Sequence, residues 1–126
     1  MSERPETPHE DSDQDQLTVS VRRQAGAGVV VVAGELDHDT APSLARATGS
    51  LADAGVARIV VDCSELTFCD STGLNVLLKA RLRTTDDGGR FVLAAPSPPL
   101  RRLLELTGAD GVFETHADVA AALADA

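Results

Sequence analysis

The sequence predicts an α/β fold: a mixed β-sheet that begins with an antiparallel hairpin, continues through parallel βα units and is flanked by about four helices. Three observations carry this. Apolar and polar residues alternate in LTVSVRR (Leu17 to Arg23), the pattern of a half-exposed strand. Further on, short runs rich in Val and Ile alternate with longer segments of helical periodicity, as βα units do. Finally, 43% of the chain is hydrophobic although Trp and Tyr are absent and only 3 Phe occur. The core must therefore be built from Val, Leu and Ala, which suits thin α/β layers.

At 126 residues a single domain is expected, large enough to bury a core without metals or disulfides. Residues 1–14 (MSERPETPHEDSDQ) hold no apolar residue beyond the first Met. They cannot offset the entropy of ordering, so they are expected to form a disordered acidic tail, with the domain spanning 15–126.

The elements follow in order. QAGAG (Gln24 to Gly28) reads as a turn and VVVVAGELD (Val29 to Asp37) as a second, more buried strand, which closes the hairpin. A dinucleotide-binding reading of Gly26 and Gly28 fails, because that fingerprint needs a glycine turn leading into a helix. In DHDTAPSLARATGSLADAG, Asp39 or Thr40 can cap a helix, Pro42 suits its first turn and Gly55 its end. Leu44, Ala47, Leu51 and Ala52 then share one face. ARIVVDCS (Ala57 to Ser64) reads as a central strand. A helix from about Ser71 to Thr85 comes next, with Leu74, Leu77, Leu78 and Leu82 as its packing stripe and Asn75, Val76, Lys79 and Arg83 on other faces. DDGGR breaks that helix, and FVLAA (Phe91 to Ala95) is a buried strand. SPPLRRLLELTGA forms a Pro-initiated helix ended by Gly108, GVFET a short strand and HADVAAALADA a terminal helix. Right-handed crossovers make the sheet parallel after its hairpin.

Charge and composition exclude several classes. Six acids against one arginine in residues 1–15 account for −5 of the −9 formal charge, leaving −4 for the rest. Such a balance argues against a nucleic-acid partner. Lys79, Arg81, Arg83 and the pair Arg101-Arg102 read as solvated helix faces. No apolar run approaches the roughly 20 residues of a membrane span, and the N-terminus lacks a basic segment followed by an apolar one. A soluble, cytoplasmic protein without a membrane partner is expected. Cys63 and Cys69 fall outside close metal-ligand spacing and His9, His38 and His116 are scattered, so no metal site is expected. Cys63 reads as a small core residue, while Cys69 can be partly exposed.

One stretch carries chemistry: FCDSTGLNVLLKA, from Phe68 to Ala80. Asp70-Ser71-Thr72-Gly73 is placed after a loop and at the start of the Leu-rich helix, where backbone N–H groups lack partners and the dipole favours negative charge. Asp70 or Ser71 can cap the helix, and Gly73 permits close approach of another group. A cap needs only one hydroxyl, yet Ser71 and Thr72 supply two. A second acidic group, Gly34-Glu35-Leu36-Asp37, ends the preceding buried strand and can lie at the same sheet edge. For hydrolysis Ser71 needs a base, with His38 and His116 the candidates within the fold, and G-x-S-x-G is absent. A phosphoaspartate receiver needs a lysine at a strand end, whereas the sole lysine, Lys79, falls inside a helix.

GELDHDTAPSL, IVVDCSELTFCDSTGLNVLL and LRRLLELTGADGVF occur together and in order. In these segments the chain resembles the STAS domain of bacterial anti-sigma factor antagonists, from about Leu17 to the C-terminus. The resemblance implies a STAS-like mixed sheet flanked by helices, and partner switching. In such proteins the unphosphorylated antagonist binds an anti-sigma factor with serine kinase activity and frees the sigma factor. The kinase phosphorylates the serine of D-S-[ST]-G, here Ser71, and a serine phosphatase restores it. ATP and Mg²⁺ belong to the kinase, so the resemblance makes this chain a substrate without a cofactor, not an enzyme. It marks Ser71 as the phosphoacceptor. Whether Thr72 is a secondary acceptor stays open, and Asp37, Asp70, Ser71, Thr72, Gly73 and Asn75 are the residues expected to bind the partner. Cys69 stands where the family often has an apolar residue, and Asn75 where a glycine is frequent. Two other readings stay open: a non-phosphorylated STAS scaffold in a transporter accessory or stress-sensing complex, and a small-molecule or nucleotide-binding protein. The lack of a phosphate loop counts against the last.

Overall fold

A computed structural model describes residues 16–124, so the acidic tail expected over 1–14 lies outside the described residues. Strands β1 (Leu17–Gln24) and β2 (Ala27–Leu36) pair antiparallel. Between them Ala25 and Gly26 both adopt positive φ, 51° and 82°, the backbone a two-residue hairpin turn requires. Then follow α1 (Ala41–Asp53), β3 (Arg58–Cys69), α2 (Ser71–Asp86), β4 (Arg90–Ala94), α3 (Pro98–Thr107), a 3₁₀ turn (Ala109–Gly111), β5 (Glu114–His116) and α4 (Val119–Ala124). The sheet runs β1-β2-β3-β4-β5, antiparallel in the first pair and parallel in the rest. The predicted α/β class, element order and strand directions are all found.

The two sheet faces are covered unequally. Val30, Val32, Ile59, Val61, Phe91 and Leu93 pack with Leu44 and Leu51 of α1, Leu74 and Leu77 of α2, and Leu100 and Leu104 of α3, all buried. The alternate residues Val29, Val60, Val92 and Ala94 meet Ala122 of α4 on the other face. Burial on both faces explains why the central strands read as continuous apolar runs. The guanidinium of Arg58 donates to the Ala122 carbonyl oxygen at 2.6 Å, placing a cation on the C-terminal carbonyls of α4, where the helix dipole favours it.

Three expectations need correction. Strand β3 does not end at Ser64 but continues to Cys69, paired with β2 through two register shifts. Those irregularities break the two-residue period: Leu66 and Cys69 are buried while Thr67 and Phe68 between them are exposed. Asp70 therefore follows a strand directly, with no intervening loop. In α2, Leu82 is 57% exposed and Leu78 only partly buried. The buried stripe runs through Leu74, Leu77 and Thr84 instead, with Val76 packed against the core. Thr84 tolerates its core position because its hydroxyl donates to the Ala80 carbonyl oxygen at 2.7 Å. Finally, neither Asp39 nor Thr40 caps α1 with its side chain; the Asp37 carboxylate accepts from the Thr40 amide at 3.1 Å.

Gly34 marks the bend where β2 leaves β1. Its φ is +111°, and a Cβ there would collide with the Gln16 carbonyl oxygen, the acceptor of the Glu35 amide at 2.7 Å. Gly34→Ala is expected to lower unfolding stability by about 2–4 kcal/mol in urea titrations. Gly49, inside α1 with nothing within 4 Å of its would-be Cβ, gives the opposite sign: Gly49→Ala should add about 0.5–1 kcal/mol.

Strand β5 is tied to β4 by the Arg90–Glu114 ion pair, and His116 Nε2 lies 3.0 Å from a Glu114 carboxylate oxygen. Hydrogen bonding from Arg90, then from His116, holds the Glu114 carboxyl below its ordinary value of 4.5. The stabilisation is thus present above that value and lost as pH falls through the lower folded-state pKa. Glu114→Gln should flatten the acid side of a plot of urea midpoint against pH.

Candidate functional site

Leu36 and Cys69 are register partners at the carboxyl ends of β2 and β3. The residues that follow them, Asp37 and Asp70, accordingly emerge side by side at one edge of the sheet. The Asp70 amide donates to the Leu36 carbonyl oxygen at 3.1 Å and ties the two strand ends together. Asp70 then stays extended (φ −103°, ψ −175°) while its carboxylate accepts from the Gly73 amide at 2.9 Å. Of the two residues able to cap α2, Asp70 does so, and such a cap stabilises by about 1 kcal/mol.

Ser71 and Thr72 are left as the first two residues of the helix, both exposed and neither engaged in the cap. Gly73 is buried beneath them. A Cβ at this position would come within 2.6 Å of Leu36 Cγ and 3.0 Å of its carbonyl oxygen, so the end of β2 abuts the first turn of α2 directly. Gly73 therefore serves as a close-packing residue. Ser71, Thr72, Leu74, Asn75 and Leu78 line an open depression of about 360 Å³. The depression is largely open to solvent.

The loop from β2 to α1 forms the neighbouring wall. One carboxylate oxygen of Asp37 accepts from the amides of Asp39 at 2.9 Å and Thr40 at 3.1 Å, and the Asp37 carbonyl oxygen accepts from the Ala41 amide at 2.8 Å. The Thr40 hydroxyl, fully buried, donates to the Glu35 carbonyl oxygen at 2.8 Å and accepts from the Asp37 amide at 2.9 Å. Asp37 is partly buried, while His38 and Asp39 are exposed. Asp37, Asp70, Ser71, Thr72 and Gly73 thus gather at one edge, with Asn75 one turn along the exposed side of α2. Among the described residues no hydrogen bond joins Ser71 to His38 or His116.

Cys69 is buried, contrary to the expectation of partial exposure, because β3 reaches it with its side chain on the helix-covered face. Burial first, then the charge of Asp70, push its thiol up to about 12, and burial raises Cys63 as well. Both stay protonated at neutral pH and are poor nucleophiles and metal ligands. Among the described residues no group of three or more His, Cys, Asp or Glu is placed to hold a metal ion. No helix there is long and apolar enough to cross a membrane.

Sequence reasoning missed two members of the site, Leu36 and Thr40. The spacing Asp37-x-x-Thr40 before Ala41-Pro42, which parallels Asp70-x-x-Gly73, was the available signal. It also passed over Phe68, 47% exposed and paired in register with exposed Glu35 just before the motif.

Comparisons with known proteins agree with this fold. The family model described as "Mlab, STAS domain" matches residues 19–115. The anti-sigma-F factor antagonist RsfB of Mycobacterium tuberculosis is 31% identical over 99 residues, covering 79% of this chain and 80% of its own. The anti-sigma-B factor antagonist of Bacillus subtilis is 30% identical over 101 residues, or 80% of this chain and 92% of that one. Among solved structures, an anti-sigma factor antagonist from Mycobacterium paratuberculosis superposes with a TM-score of 0.79 at 34% identity, covering 87% of this chain and 93% of its own. With most of its length matched in sequence and in fold, the chain belongs to the STAS domain family.

Proposed function

We propose that this protein is an anti-sigma factor antagonist. It binds a kinase-type anti-sigma factor while Ser71 is unmodified, frees the sigma factor, and is inactivated when the same kinase phosphorylates Ser71. One observation carries the reading. Ser71 stands exposed at the N-terminus of α2 while Asp70 alone closes the cap, so its hydroxyl is available to a kinase and dispensable to the fold. The antagonist names of RsfB and the Bacillus subtilis relative support the partner class.

In the transfer step Ser71 Oγ attacks the γ-phosphorus of ATP held with Mg²⁺ by the kinase. The P–O bond to ADP breaks and the hydroxyl proton leaves. The product carries about −1.5 to −2 charges. At a helix N-terminus such an anion is favoured by the dipole and by unpaired amides, so the domain itself tolerates it. Across the interface the new charge adds to those of Asp37 and Asp70 and raises both repulsion and desolvation cost. Thr72 and Asn75 complete the contact surface. A serine phosphatase reverses the modification, and the cycle belongs to the cytoplasm, where sigma factors act. The chain is the substrate in this cycle and needs no cofactor of its own.

The test is incubation with a kinase-type anti-sigma factor and Mg-ATP, followed by mass spectrometry. One phosphoryl group is expected on Ser71 and on Thr72→Ala, and none on Ser71→Ala; undiminished incorporation into Ser71→Ala would overturn the assignment. Ser71→Glu should weaken binding to the anti-sigma factor about tenfold or more in calorimetry, a loss of about 1.4 kcal/mol.

A further inference from the structure

A single buried hydroxyl controls the residue against which α2 begins. The Thr40 hydroxyl bonds the Glu35 carbonyl oxygen at 2.8 Å and the Asp37 amide at 2.9 Å. These are the two peptide groups flanking Leu36, so Thr40 clamps Leu36 from both sides. Leu36 in turn accepts from the Asp70 amide at 3.1 Å and fills the space left by the missing side chain of Gly73. The hydroxyl does not cap α1, which has no side-chain cap bond, and its remaining contact is an Asp37 carboxylate oxygen at 3.3 Å. The helix start that carries Ser71 is therefore referenced to Leu36, and Leu36 to Thr40.

We propose that Thr40 is a positioning residue for phosphorylation of Ser71, acting through Leu36. The inference rests on the reading of Ser71 as the phosphoacceptor. Phosphoryl transfer depends on the placement of the attacking oxygen, and a displacement of about 1 Å can cost about a hundredfold in rate. Removing the hydroxyl leaves the Glu35 carbonyl and the Asp37 amide without their partner and frees Leu36 to shift, and the first turn of α2 moves with it. The contacts of Thr72 and Asn75, which the Thr40 hydroxyl does not touch, are left intact, so the loss falls mainly on turnover.

Thr40→Val keeps the shape and deletes the hydroxyl; Thr40→Ser restores it. Thr48→Val is the control, because the buried Thr48 hydroxyl bonds only carbonyl oxygens of its own helix, Leu44 at 3.1 Å and Ala45 at 3.2 Å. With the anti-sigma kinase and Mg-ATP, Thr40→Val should lower kcat for Ser71 phosphorylation at least about tenfold with KM within about twofold. Thr40→Ser and Thr48→Val should match the unsubstituted protein. Wild-type kcat in Thr40→Val, or failure of Thr40→Ser to restore it, overturns the proposal. A kinase-independent readout separates it from the function itself. Exchange of the Asp70 and Gly73 amides, measured by NMR, should quicken about tenfold in Thr40→Val but not in Thr48→Val. Unchanged exchange refutes the positioning role even if no kinase is found, whereas an unphosphorylated Ser71 in the native protein refutes the function alone. Should Thr40→Val unfold, Thr40→Cys, with a weak thiol donor, carries the same comparison and should show a smaller fall of the same kind.

Discussion

The contact between Leu36 and the start of α2 is the constraint on which the rest of the site depends. Parallel strands β2 and β3 end together because two register shifts bring Leu36 opposite Cys69. One backbone bond, Asp70 amide to Leu36 carbonyl, then fixes where the chain turns from strand to helix. Gly73 allows the leucine to sit against the helix without an intervening side chain. Any larger residue there would push α2 off the end of β2, and the exposed pair Ser71-Thr72 would go with it.

On the proposed reading of Ser71, this arrangement separates structure from signalling within four residues. Asp70 satisfies the helix N-terminus and Gly73 satisfies the packing, which leaves Ser71 and Thr72 without structural duties in the cap. A charge placed on Ser71 meets a helix end that favours anions, so it costs the fold little. A partner pressed against the same edge meets Asp37, Asp70 and the added dianion together. Under the proposed function, the consequence is a switch that alters affinity by surface charge and leaves the domain unchanged.

Much of the fold was legible in the sequence because local signals agreed. The alternation at Leu17 to Arg23, the valine runs and the Gly55, Gly88 and Gly108 stops each mark an element, and the pattern of βα units follows from their order. The capped helix at Asp70 was also visible, as was the gathering of Asp37 with it. Where reading failed, tertiary packing was responsible. Bulges hid the second half of β3, because Leu66 and Cys69 are three residues apart yet share a face. Thr84 took a core position expected of a leucine by bonding its own helix, which left Leu82 in solvent. Thr40 looked like a cap and proved to be a clamp on the preceding strand, a role that depends on where Glu35 and Asp37 point.

The central claim is that modification of Ser71 is a local change of charge on an otherwise fixed scaffold. Backbone amide shifts of the protein before and after stoichiometric phosphorylation, recorded under one set of conditions, test it most directly. Changes confined to the Asp37–Thr40 loop and the Asp70–Asn75 turn are the result this account requires. Comparable shifts across β1, β4 and α4 would contradict it, since they would mean that the phosphate acts by rearranging the sheet.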